Sequence, residues 1–282
     1  MLLRSDCRHF HIAEGRSWHI PIATIGGLPI AVINRCDSAK LIVDLALSRR
    51  DNAKPPLVFT SANGQVLSLC ARDERIRDLF LQSDLIHADG MPLVLASRLF
   101  HQWPLPERVA TTDLFHDVAA VAQRRGARTF LLGSANAVVK QAVSRMRVSY
   151  PDLDIVGYSC GYMRRAGDLA RTMEQINRAR PDILWLGLGA PVEQDFAVRY
   201  RNELCGVGLI KTAGGLFDFL SGKTSRAPMW MQRAGLEWAY RVYLEPRRLA
   251  VRYLMTNPHA LSLLLTRTDK GVEQPVPAQV RH

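Results

Sequence analysis

Asp89 ends a short apolar run, Ile86-His87-Ala88, and is followed by Gly90-Met91-Pro92, a turn whose proline suits the first position of a helix. A carboxylate at such a strand-to-helix junction is held by backbone on the rim of an α/β sheet, where active sites of that architecture sit. Asp89 is therefore the first candidate for the chemical centre. Three glycine turns form a second group: Gly133-Ser134-Ala135-Asn136, Gly187-Leu188-Gly189-Ala190-Pro191 and Gly214-Gly215-Leu216-Phe217-Asp218. Each follows an apolar run, and amides at helix N-termini attract anions. None spells the full G-x-G-x-x-G, but three such turns on one rim point to a nucleotide crevice.

Arginines make the third group. Arg248 and Arg252 are four residues apart and share a helix face, and Arg241 converges with them if the chain folds back at Pro246. They lie among Trp230, Trp238, Tyr240, Tyr243 and Tyr253, a mixture that suits an anionic membrane or a diphosphate. Aromatics with arginine also describe nucleic-acid binders, but the chain shows no RNP, KH or helix-turn-helix pattern, so no nucleic acid is expected. Asp152-Leu153-Asp154 has the spelling of a DxD metal site, yet it precedes its strand and falls on the wrong rim. The histidines have no ligand spacing, and His87 should point away from the side that Asp89 serves. Neither a metal nor another cofactor is expected.

These groups need a sheet to hold them. Short apolar runs at 57–60, 84–88, 128–132, 154–157, 182–186 and 208–212 alternate with helical patterns at 38–49, 65–70, 92–100, 112–125, 136–150, 168–179 and 193–203. Strand, glycine turn and helix in repetition predict an α/β fold: a Rossmann-like parallel sheet with crossover helices. That core spans 1–222, with 1–20 loosely held and a small strand or hairpin at 26–33. Residues 223–267 read as a helical, membrane-associating appendage, with Pro246 opening one helix and Asn257-Pro258 stopping it. The tail, 268–282, is expected to be disordered.

The chain has 282 residues and a formal net charge of +11, so an anionic partner is expected. Between Lys223 and Arg267, eight Lys and Arg face two Glu, which places more than half of the excess in the appendage. Five scattered cysteines without a CxxC pair argue against a zinc knot or disulfide framework and suit a reducing cytosol. The longest apolar run, 21–33, is broken by Gly26-Gly27 and Pro29 and is too short to span a bilayer.

Several stretches together resemble the WecG/TagA/CpsF glycosyltransferases, family 26. They include Thr60-Ser61-Ala62-Asn63, Ala88-Asp89-Gly90-Met91-Pro92, Glu107-Arg108-Val109-Ala110-Thr111-Thr112-Asp113, Gly214-Gly215-Leu216-Phe217-Asp218, Arg226-Ala227-Pro228-Met229-Trp230 and Gly235-Leu236-Glu237-Trp238, in consistent order over about 25–255. The resemblance implies a metal-independent, inverting transferase that moves a sugar from a UDP-sugar onto a lipid-diphosphate-sugar acceptor at the cytoplasmic face of the membrane. It implies Asp89 as general base, Arg241, Arg248 and Arg252 toward the leaving diphosphate, Arg108 in the pocket wall and Asp218 at the ribose. Asn63 and a neighbouring hydroxyl would contact substrate, and either Thr60 or Ser61 stands where that hydroxyl belongs. Gly133, Gly187, Gly189, Gly214 and Gly215 would form the donor rim. The family's Pro-x-Gln-Glu appears as Pro191-Val192-Glu193-Gln194, and because a carboxylate only accepts, contacts to sugar or uracil at Glu193 and Gln194 should differ. The wording around Asn63 and Asp89 is most similar to the exopolysaccharide branch typified by GumM, which implies UDP-glucose; the alternative donor is UDP-N-acetylmannosamine. The competing class is a non-catalytic nucleotide-binding protein whose basic tail holds nucleic acid. A homo-oligomer is compatible with the sequence.

Overall fold

The computed structural model describes residues 7–12, 17–50, 54–163, 166–270 and 279–281; the side chains of Arg233, Arg248 and 279–281 are outside it. Three antiparallel strands, β1 (Cys7–His11), β2 (Ser17–Ile25) and β3 (Leu28–Ala31), open the chain, with Gly26-Gly27 as the turn of the β2–β3 hairpin. Helix α1 (Arg35–Ser48) leads to β4 (Leu57–Ala62), then α2 (Gly64–Arg72), α3 (Glu74–Leu81), β5 (Leu85–Ala88), α4 (Met91–Phe100) and α5 (Thr111–Arg125). The alternation continues through β6 (Thr129–Gly133), α6 (Asn136–Ser149), β7 (Ile155–Ser159), α7 (Asp168–Ala179), β8 (Ile183–Gly187), α8 (Val192–Tyr200), β9 (Leu209–Thr212) and α9 (Leu216–Leu220). Helices α10 (Met229–Arg233), α11 (Glu237–Leu244) and α12 (Pro246–Thr266) follow, and β10 (Gln279–Arg281) ends the described chain.

Strands β4 to β9 form one six-stranded parallel sheet in the order β5-β4-β9-β8-β6-β7, the expected α/β class with crossover helices. The five strands β4, β5, β6, β8 and β9 are mostly apolar and buried because both faces are covered, while the edge strand β7 is buried only at Ile155. Phe59, Leu131, Ile183, Trp185 and Leu209 pack on one side with α1, α5 and α6, while Val58, Phe130, Leu132, Leu184, Leu186 and Ile210 pack on the other with α7 and α8. This is the period-2 alternation of a strand. A third cluster joins Ala62, Ile86 and Ala88 to the β2–β3 hairpin, α2, α4 and the end of α12.

Three expectations are corrected. The appendage helix does not stop at Asn257-Pro258: α12 runs through Pro258 to Thr266. An internal proline costs roughly 3 kcal/mol, and what offsets it is packing, since Ala260, Leu263 and Leu264 are buried and His259 Nδ1 sits 2.9 Å from Ser68 Oγ on α2. Of the tail, 271–278 and 282 lie outside the described residues, and Gln279–Arg281 form β10, paired antiparallel with β2. The region expected to be loosely held contains β1 and the first half of β2, with Trp18 and Ile20 buried. Helix α1 also starts before Ser38, because Asn34 is the better cap: its side chain accepts from the Asp37 amide.

Candidate active site

Each parallel strand delivers its C-terminal end to the same edge, and a cleft of about 530 Å³ opens there. Ser61 and Asn63 come from the end of β4, Asp89 from β5, Ser134 from β6, Gly187 and Gly189 from β8, and Gly214, Gly215 and Asp218 from the turn after β9. The appendage closes the other side with Glu237, Trp238 and Arg241 of α11 and Arg252, Tyr253 and Asn257 of α12.

Asp89 is fixed by backbone and side chain together. Its amide donates to the Ala62 carbonyl at 2.8 Å, and Thr111 Oγ1 donates to its Oδ2 at 3.2 Å. Burial pushes the Asp89 carboxyl up to about 6, against the pull of Arg108, Lys211 and the Thr111 hydrogen bond; Glu237 adds to the rise. A carboxyl poised there is ionised near neutrality and still basic enough to take a proton.

Alternation along β4 separates the two candidate hydroxyls. Thr60 is fully buried and bonded to Thr212 Oγ1 (2.9 Å) and Gln194 Nε2 (2.8 Å), while Ser61 lines the cleft. Asn63 lines it too, and its side chain caps α2 by accepting from the Val66 amide. The exchanged Glu193-Gln194 pair has a structural logic. Glu193 is buried and accepts from the Gly189 amide (3.0 Å) and the Gly214 amide (2.9 Å), binding the β8 and β9 turns to each other. Its partners are donors only, which suits a carboxylate. Burial raises the Glu193 carboxyl, and the glycine amides oppose that rise. Gln194 is turned inward to Thr60. Thr60 and Gln194 therefore stand behind the wall of the cleft, contrary to the expectation that they touch substrate.

Gly133 also differs from expectation. It adopts φ +153°, and a Cβ there would lie 2.2 Å from the Gly187 carbonyl oxygen, so the glycine serves the approach of two turns. Its neighbour Ser134, at φ +53°, takes the place in the cleft and donates to Asp218 Oδ1 at 3.4 Å. Asp218 also pairs with Lys223 at 3.2 Å.

Among the arginines, Arg108 lines the cleft and donates to Glu237 Oε2 at 2.7 Å and to Gln232 Oε1 at 3.4 Å. Arg226 pairs with Asp113 and donates to Gln232 Oε1 at 2.6 Å, so a charged clasp joins the core to α10 and α11. Arg241 lies over the Phe219 ring at 5.5 Å and Arg252 over Tyr253 at 4.8 Å; both line the cleft, each with a buried Nε lacking a protein partner. Arg248 is on α12, but its side chain lies outside the described residues. Asp152 and Asp154 sit before β7, away from the cleft lining, and His87 is a core residue against Phe59.

One group escaped the sequence reading. Lys211, in β9, is fully buried and donates from Nζ to Ser61 Oγ at 2.8 Å and to the Thr212 carbonyl at 3.0 Å. Burial pulls its ammonium down to about 8, while Asp89 and Glu193 hold it up. The signal was a lone lysine inside an otherwise apolar strand.

Comparison with known proteins places this geometry. The glycosyl transferase WecG/TagA/CpsF family model matches residues 23–272. The chain belongs to that family. This glycosyltransferase is 35% identical over 223 residues to a Bacillus subtilis protein named N-acetylglucosaminyldiphosphoundecaprenol N-acetyl-beta-D-mannosaminyltransferase, covering 78% of this chain and 84% of the relative. It is 29% identical to the Bacillus spizizenii protein of the same name (90% and 96% covered) and 25% identical to one from Staphylococcus aureus (68% and 74%). The expectation of UDP-glucose finds no support in relatives whose names give N-acetylmannosaminyl as the transferred group, and the alternative donor fits them better. Among the described residues, no helix of the glycosyltransferase is long and apolar enough to cross a membrane.

Proposed function

We propose that this chain transfers N-acetylmannosamine from its UDP derivative to a hydroxyl of N-acetylglucosamine carried on a polyprenyl diphosphate, with inversion and without a metal. The observation that carries the reading is Asp89 facing a cleft rimmed by the Gly187, Gly189 and Gly214 turns, in a chain similar to enzymes named for this transfer. Asp89 takes the proton from the acceptor hydroxyl as that oxygen attacks the anomeric carbon; the bond to UDP breaks, and its electron pair leaves with the β-phosphate. Arg241 and Arg252, whose guanidinium groups border the cleft, neutralise the departing diphosphate, and Arg248 joins them from the same helix. The glycine turns and Asp218 hold the nucleotide.

The appendage brings this site to the acceptor's membrane at its cytoplasmic face. Met229, Trp230, Tyr243, Val251, Leu254 and Met255 are exposed on α10 to α12 beside the basic residues, an arrangement that supports insertion into an anionic interface. A screen of UDP-sugars with a short-chain lipid-diphosphate-N-acetylglucosamine acceptor, reading UDP release with and without EDTA, tests the proposal. UDP-N-acetylmannosamine should turn over in EDTA; turnover of UDP-glucose alone, or loss of activity in EDTA, contradicts it.

A further inference from the structure

Lys211 and Asp89 stand at the two ends of one hydrogen-bonded line. Lys211 Nζ lies 2.8 Å from Ser61 Oγ, Ser61 Oγ lies 3.1 Å from Thr111 Oγ1, and Thr111 Oγ1 lies 3.2 Å from Asp89 Oδ2. The chemistry of the ends sets the direction. An ammonium can only donate and an ionised carboxylate can only accept. Ser61 therefore accepts from Lys211 and passes its own proton toward Thr111, which donates to Asp89. Protonation would leave Asp89 a weaker acceptor for Thr111 and remove its charge from the end of the line.

We infer that Lys211 is a positioning residue for the transfer, holding the Asp89 carboxylate ionised and oriented through Ser61 and Thr111. It is not itself part of the cleft lining, and it reaches the cleft only through Ser61 and Thr212, which are. A methionine would fill its buried site without the cost of desolvating a charge, so the ammonium's contribution is electrostatic. The other charges around the line are few. Arg108, from the loop before α5, also favours the Asp89 carboxylate, and Glu237 of α11 opposes it. Glu193 of α8 favours the Lys211 ammonium, and His87 of β5, fully buried, is kept neutral by that burial and by Lys211. Lys211 is thus a buried cation facing two carboxyls, the buried Glu193, which is bound by the glycine turns, and the half-buried Asp89, which opens to the cleft.

The inference rests on Asp89 being the general base, and pH profiles of kcat/KM for four variants separate the two claims. The wild type should lose activity on the acid side as Asp89 protonates, and Asp89→Asn should remove that limb with most of the turnover. In Lys211→Met the limb should move to higher pH by about one unit or more, with UDP binding by calorimetry unchanged. Lys211→Gln keeps a donor toward Ser61 without the charge, and should move the limb nearly as far. Ser61→Ala removes one oxygen, breaks the line in its middle and should move the limb the same way by less; it serves if neither lysine variant folds. An Asp89→Asn enzyme that keeps its turnover and acid limb overturns the base. An acid limb lost in Asp89→Asn but unmoved in the folded Lys211 or Ser61 variants overturns the role of Lys211 alone.

Discussion

Arg108 donates to Glu237 Oε2 at 2.7 Å, across 129 positions of sequence, and so ties the appendage to the rim that carries Asp89. Both side chains line the cleft, and both act on the Asp89 carboxyl, with opposite signs. The appendage therefore tunes the candidate base as well as covering it. Glu237→Gln removes a negative charge near Asp89, so ionisation becomes easier and the acid limb of kcat/KM should shift to lower pH, the reverse of Lys211→Met. The loosened clasp should also cost on the order of 1 kcal/mol of stability, the scale of a partly exposed ion pair. Profiles and thermal melts of this variant check both signs.

Asp89 should lower stability where it supports function. Its carboxyl is raised from 3.8 to about 6 in the folded chain, so the native state holds the proton more tightly than the unfolded one. Stability is then lost as pH rises from about 4 through about 6, and is unaffected below that range, where both states are protonated. Asn cannot ionise. Asp89→Asn should therefore have an unfolding free energy close to that of the wild type near pH 4 and higher near pH 7.5, by on the order of 1 to 3 kcal/mol. A difference that does not change with pH would contradict the assigned shift.

The membrane role of the appendage is testable without disturbing the cleft. Val251 and Leu254 are 65% and 74% exposed on α12, and neither lines the cleft. Burying an aliphatic side chain is worth roughly 1.5 to 3 kcal/mol, so Val251→Glu with Leu254→Glu should weaken co-sedimentation with anionic liposomes at least tenfold by about that measure. Turnover of a short-chain, water-soluble acceptor should stay within about twofold. Liposome binding that survives both changes would move the docking surface elsewhere.

The parallel sheet was legible because most of its strands are buried on both faces and so spell mostly apolar runs, several closed by a glycine turn. The rim followed from the same logic, since Asp89, Gly187, Gly189 and Gly214 end strands that all point one way. What stayed hidden depended on side-chain direction and distant packing. Matching a motif does not say which side of β4 a residue faces, and so Thr60 and Ser61 could not be separated until the alternation was fixed in space. Likewise Gln194 turns to Thr60 and leaves the turn amides to Glu193. Pro258 reads locally as a helix stop, but the buried Leu263 and Leu264 beyond it decide otherwise. A single lysine in a strand reads as an edge or surface residue; only the buried Glu193 and the half-buried Asp89 explain a cation at Lys211.

The central claim is that Asp89 removes the acceptor's proton. The most direct measurement is the turnover of Asp89→Asn with UDP-N-acetylmannosamine and the lipid-diphosphate acceptor, set beside its affinity for UDP. The account predicts turnover lower by about 10²- to 10⁴-fold, the usual worth of a general base, with UDP affinity unchanged. Near-normal turnover would contradict it.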